Sequence, residues 1–87
     1  MTQSNTPGHE VKVLDDGSKF WLFNGELHRA DGPAIEWADG SKSWWLYGKL
    51  HRDNDLPAIE SADGSKSWWV VGVLYRSHSP TIEFGDV

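Results

Sequence analysis

The sequence predicts an all-β fold, an antiparallel meander of three β-hairpin repeats of 23 to 24 residues forming a short solenoid-like sheet. Three observations predict it. Asp-Gly recurs as Asp16-Gly17, Asp39-Gly40 and Asp63-Gly64, at spacings of 23 and 24 residues, each time followed by Ser-Lys. Pro33–Arg52 laid on Pro57–Arg76 gives fifteen identities in twenty positions, which marks an internal duplication. No stretch of useful length carries the 3.6-residue period of a helix.

The elements follow from turn chemistry. Asp-Gly precedes each aromatic strand, and Asn24-Gly25, Tyr47-Gly48 or Val71-Gly72 follows it; tight hairpin turns need positive φ, which Gly adopts freely and Asn or Asp tolerates. A third corner falls at Arg29 to Pro33, Arg52 to Pro57 and Arg76 to Pro80, where proline, unable to donate to a ladder, opens the next strand. The one extra residue, Leu56, lies in such a corner. Strands are then expected near 10–14, 18–23, 26–29, 34–37, 41–46, 49–52, 58–61, 65–70, 73–76 and 81–84. Residues 1–9, polar and outside the repeat, read as a flexible tail. Residues 10–87 form a single domain with units of about 16–38, 39–62 and 63–84.

With 87 residues the chain can bury only about 60% of the surface its unfolded form exposes, so its core must be efficient. It has no cysteine to staple it, but it has six tryptophans. Alternation along a strand puts Trp21, Trp44 and Trp68 on one face with Phe23, Leu46 and Val70; these, with Leu27, Leu50, Leu74, Ile35, Ile59 and Ile82, are the expected structural core. The opposite face carries Phe20, Leu22, Ser43, Trp45, Tyr47, Ser67, Trp69 and Val71. Aromatic residues on a face that should be polar must be covered by the curl of the sheet, a second subunit or a partner.

Thirteen acidic against eight basic residues, a formal charge of −5, argue against direct nucleic-acid binding. The absence of a long apolar run or a signal-like start leads to the expectation of a cytoplasmic chain with no membrane contact. Glu36, Glu60 and Glu83 recur in register with Arg29, Arg52 and Arg76, which suggests structural clamps; acids spaced by a repeat are expected from repetition alone and do not make a catalytic pair. His28 and His51 match each other but the third copy has Tyr75, so a packed, hydrogen-bonded histidine is expected and no metal site. The serines that follow the turns have no nucleophile context. No catalytic residue, metal or cofactor is expected.

The unit Asp39-Gly40-Ser41-Lys42-Ser43-Trp44-Trp45-Leu46-Tyr47-Gly48-Lys49-Leu50-His51-Arg52, followed by Pro57-Ala58-Ile59-Glu60, resembles MORN-type repeats over residues 15–84. It departs from them at Trp45 and Trp69, where those repeats have glycine, and at His28-Arg29 and His51-Arg52, where they have His-Gly. His28-Arg29-Ala30-Asp31-Gly32-Pro33-Ala34 is more similar to a His-Arg-x-Asp-Gly-Pro-Ala variant found in bacterial and phage proteins. The resemblance implies a β-hairpin scaffold with an interaction role and no reaction.

The function expected is a non-catalytic protein-binding module, a phage or mobile-element inhibitor of a host defence complex of the anti-CRISPR type. Carboxylates would stand where phosphates lie in a host nucleic-acid-targeting complex. The partner-binding candidates are Trp45, Tyr47, Trp69, Asp31, Asp39, Asp53, Asp55 and Asp63, with Asp15 and Asp16 in the same class. Alternatives are carbohydrate or cell-wall binding through Trp45 and Trp69, and a self-associating homodimer.

Overall fold

A computed structural model describes residues 8–78 of the chain; the expected strand at 81–84, with Ile82 and Glu83, lies outside the described residues. The fold is all-β, antiparallel throughout, and no described residue is helical. Among the described residues no helix is long and apolar enough to cross a membrane. Among the described residues ten strands form: β1 (His9–Val13), β2 (Lys19–Phe23), β3 (Glu26–Leu27), β4 (Ile35–Glu36), β5 (Lys42–Ser43), β6 (Trp45–Leu46), β7 (Lys49–Leu50), β8 (Ile59–Glu60), β9 (Lys66–Val70) and β10 (Val73–His78).

The main sheet runs β1-β2-β4-β5-β8-β9-β10, with β3 also on β2 and with β6 and β7 forming a separate pair. Among the described residues the sheet is open, with β1 and β10 at its edges, and it does not form the expected solenoid. The body measures 53 × 27 × 16 Å, one thin layer drawn out along the direction in which strands are added. The expected strand at 41–46 is broken at Trp44, whose N–H leaves its own hairpin to donate to Ala58 O at 2.8 Å. The expected tail at 1–9 ends earlier, because His9 opens β1 opposite Phe23 and Gly8 O accepts Asn24 N–H.

Turn chemistry explains the hairpins. Asn24-Gly25, Tyr47-Gly48 and Val71-Gly72 have φ pairs of 51/85, 48/82 and 48/81°, the doubly left-handed geometry whose twist matches the flanking strands. The Asp-Gly turns are built differently from the tight two-residue form. Gly17 N–H donates to Leu14 O and Leu14 N–H to Ser18 O, so three residues make the loop and only the glycine, at φ 94°, is left-handed. The aspartate serves through its side chain: Asp16, Asp39 and Asp63 each accept the N–H of the serine two residues on, at 2.9, 2.8 and 2.9 Å.

The same long-range bonds appear in successive units. Trp21 N–H donates to Ala34 O as Trp44 N–H does to Ala58 O, and Ala34 N–H donates to Ser43 O as Ala58 N–H does to Ser67 O, all at 2.8 Å. Ala34 and Ala58, each bonded on both sides, are fully buried. Hairpin tips are also joined: Gly48 N–H donates to Leu27 O, and Gly72 N–H to Leu50 O. Ser18 Oγ accepts Ala38 N–H and Ser41 Oγ accepts Ala62 N–H, tying each Asp-Gly turn to the next. β10 departs from the earlier units. Ser77 and His78 pair with Ser67 and Lys66, the place that Ile35 and Glu36 take beside Phe20 and Lys19 in the first unit.

The described core is small. Ala34, Ile35, Ala58 and Trp68 are the buried apolar residues, while Trp21, Trp44, Leu27 and Leu50 are half-buried. Leu74, expected in the core, is 48% exposed and Val70 is 42% exposed, because no described strand packs beyond the last hairpin. Ile35 and Ile59 lie on the other face from Trp21, Trp44 and Trp68. Register decides this: Ile35 sits across from Phe20 and Ser43, Ile59 across from Ser43 and Ser67, and directly opposed residues share a face. The tryptophan face carries instead a ladder of alternating charge, Lys19, Glu36, Lys42, Glu60 and Lys66 in successive strands.

Candidate functional site

Each unit places one arginine on one indole. Arg29, Arg52 and Arg76 lie over Trp21, Trp44 and Trp68 at 3.9, 3.6 and 4.0 Å, close enough for cation–π attraction. The guanidinium groups also hold the corners. Arg29 Nη1 and Arg52 Nη1 donate to the carbonyls of Pro33 and Pro57, and they lie 3.6 and 3.0 Å from Glu36 and Glu60. Arg76 takes a different acid, Asp55, at 3.8 Å.

Between the first two corners lies a cleft of about 370 Å³. It is lined by the Arg29–Pro33 corner, by Asp53, Asn54 and Leu56 of the second corner, and by Trp44, Leu46 and His51. Asp31 and Asp53 stand at this cleft with side chains 87 and 75% exposed. Each is held by a neighbour: Asp31 accepts from Arg29 Nε at 3.2 Å, and Asp53 lies 2.7 Å from His51 Nε2. The second corner, longer by one residue, reaches forward. Asn54 and Asp55 both have positive φ, and Asp55 accepts Trp68 Nε1–H at its carbonyl and Tyr75 O–H at its carboxylate, both at 3.1 Å. Partial desolvation, then the Asp55 carboxylate, pushes the Tyr75 phenol above its ordinary range.

The remaining candidates are spread apart. Trp45 and Trp69 are half-buried, and their Nε1–H groups donate at 2.9 Å to Ser43 and Ser67 Oγ, two residues back on the same strand face. Tyr47 is 60% exposed at a hairpin tip, its ring 4.2 Å from that of His28. Asp39 and Asp63 sit at the opposite ends of the strands from the corners, in the Asp-Gly turns. The carboxylates therefore form two rows, one of turns and one of corners, and Asp31 and Asp53 share a cleft. Among the described residues no three His, Cys, Asp or Glu side chains gather closely enough to hold a metal ion.

One feature, Trp37, lies outside the sequence expectations, while the hydrogen-bonded histidines expected at His28 and His51 have a specific partner. Trp37, 43% exposed and edge-on to Phe20, is a surface aromatic with no counterpart at Ser61. His28 and His51 work as inter-hairpin acceptors: each Nδ1 takes the backbone N–H of the next hairpin tip, Tyr47 at 2.9 Å and Val71 at 3.1 Å. Their spacing in the sequence was the available signal.

The backbone N–H of Ser18 and of Ser65 holds Asp16 and Asp63 below the ordinary aspartate value of 3.8. A carboxylate depressed in the folded state stabilises above its unfolded pKa, and that contribution is lost as pH falls through the lower folded value. Asp63→Asn keeps the turn geometry but does not titrate. The parent should therefore lose thermal stability on acidification below about pH 4 more steeply than the variant. Parallel curves of melting temperature against pH would show that the turn bond plays no part.

No protein-family model, curated protein or solved structure matches the chain.

Proposed function

We propose that the chain is a non-catalytic protein-binding module, a short stack of three MORN-like hairpin units that acts by occlusion on a host nucleic-acid-targeting complex. Its setting would be that of a phage or mobile-element inhibitor in the host cytoplasm. The observation that carries the reading is the pair of exposed carboxylates, Asp31 and Asp53, which line one cleft together with Trp44 and Leu46. A basic side chain could lay its aliphatic stem on that apolar surface and place its charge between the carboxylates. The arginines in the cleft are only 25 and 22% exposed against 87 and 75% for Asp31 and Asp53, so the more accessible charge there is negative. The rows of corner and turn aspartates extend the same sign along a body 53 Å long, and a net charge of −5 favours encounter with a basic channel. The aromatic side chains nominated for sugar stacking, Trp45 and Trp69, are half-buried with their N–H groups used internally, which gives the carbohydrate alternative little support.

Affinity capture on the tagged protein from a bacterial lysate, followed by a nucleic-acid-binding assay on whatever is captured, tests the proposal. The expected result is a partner that loses nucleic acid when the chain is added. Asp31→Asn with Asp53→Asn should weaken that effect at least about tenfold. Capture of nothing at low and moderate salt, or of a partner whose nucleic-acid binding is untouched, overturns it.

A further inference from the structure

The last hairpin differs from the first two in a way its position makes costly. The side chains that meet the following tip in the earlier units are polar: Glu26 and His28 at Tyr47-Gly48, Lys49 and His51 at Val71-Gly72. Their equivalents in the third unit are Val73 and Tyr75, and no charged residue occurs from Ser67 to Tyr75. The earlier tips are received by a neighbour, with Gly48 against the side chain of Glu26 and Gly72 against that of Lys49. The second hairpin thus receives the third tip, but among the described residues no further tip docks on the third hairpin. Val70, Val71, Val73, Leu74 and Tyr75 are accordingly 42, 58, 64, 48 and 48% exposed on the edge hairpin of the sheet.

Terminal units of stacked repeats ordinarily turn a polar face outward to stay soluble, and this one does the reverse. Val71 sharpens the point. It sits at φ 48°, where the first unit has Asn24, and a β-branched side chain in left-handed backbone is strained. Strain kept at an exposed position points to a role for the apolar surface.

We propose that the β9–β10 hairpin is a homodimer interface, in which two copies of this chain meet across a two-fold axis through Val70, Val71, Val73, Leu74 and Tyr75. The other end of the sheet explains why the occupant is an identical end. There Gly8 O already takes Asn24 N–H, and His9 packs on Phe23 at 4.7 Å, so the first hairpin tip is not free to dock on the last hairpin of another copy. Head-to-tail growth is blocked, and like-on-like pairing closes at two. A surface without charge suits such pairing, since homodimer interfaces are the more apolar class. The inference stands apart from the occlusion reading: either can fail alone.

Sedimentation equilibrium of the full chain from about 5 to 500 μM should give twice the 9.8 kDa chain mass over most of the range. Val71→Asn combined with Val73→Glu should raise the dissociation constant about 100-fold or more with unchanged circular dichroism. Val73→Cys gives a second readout, because the chain has no other cysteine. Under mild oxidation it should cross-link into a dimer, whereas Lys49→Cys, at the equivalent place one unit earlier, should not. A parent that stays monomeric overturns the proposal, whether the hairpin is bare or covered by residues 79–87. So does a dimer that the double variant leaves intact, or one that Lys49→Cys links as readily as Val73→Cys.

Discussion

Trp68→Ala should cost about 3–5 kcal/mol, enough to leave a domain of ordinary stability largely unfolded at 37 °C. Trp68 is the most buried indole, at 7% exposure. It carries three contacts at once: Ala58 shares its face of the sheet, Arg76 stacks on its ring at 4.0 Å, and its Nε1–H donates to Asp55 O. Truncation leaves a cavity in a layer 16 Å thick, with little material around it to collapse inward. Urea unfolding followed by far-ultraviolet circular dichroism measures the loss. Trp21→Ala, at a half-buried ring on the first unit, should cost less. A Trp68→Ala midpoint equal to that of the parent would remove the indole from the list of stabilising contacts.

Ala58→Leu is the second large effect. Ala58 is fully buried, and its N–H and C=O are bonded to Ser67 O and Trp44 N–H on opposite sides, both at 2.8 Å. With the backbone clamped between two strands, three added carbons can be housed only by pushing Trp44 or Trp68 out of place. Overpacking of this kind costs about 1–3 kcal/mol and more where the surroundings cannot yield. Ala34→Leu, at the equivalent place one unit earlier, should behave alike, since Ala34 makes the matching bonds and is also fully buried. The measurement is the same urea midpoint; a leucine variant as stable as the parent would mean that the strands there part easily.

The elements read from the sequence were those governed by local backbone chemistry. Asn24-Gly25, Tyr47-Gly48 and Val71-Gly72 mark hairpin tips because few residue pairs tolerate two left-handed dihedral angles in succession. The face of Ile35 and Ile59 was not legible. It depends on how many residues the preceding corner consumes, and a shift of one reverses every side chain. Ser18 and Ser41 were assigned to the turns, and their bonds to Ala38 and Ala62 about twenty residues away leave no local trace. For the candidate site, the exposure of the corner aspartates followed from turn composition. Their division of labour did not: Asp31 folds back on Arg29, whereas Asp55, in the corner with one more residue, crosses to Trp68, Tyr75 and Arg76. Leu74 looked interior by analogy with Leu27 and Leu50, and it is exposed because analogy fails at an end.

The thinness of the body bears on how it meets temperature. In a slab 16 Å deep hardly any side chain is farther than its own length from water, and the apolar area hidden on folding is modest for the chain length. Hydration of newly bared apolar surface is what gives unfolding its large heat-capacity increment. A slab of this kind has a small increment, so its free energy of unfolding traces a shallow arc between cold and heat. Calorimetry would record a broad, low endotherm in place of a sharp one.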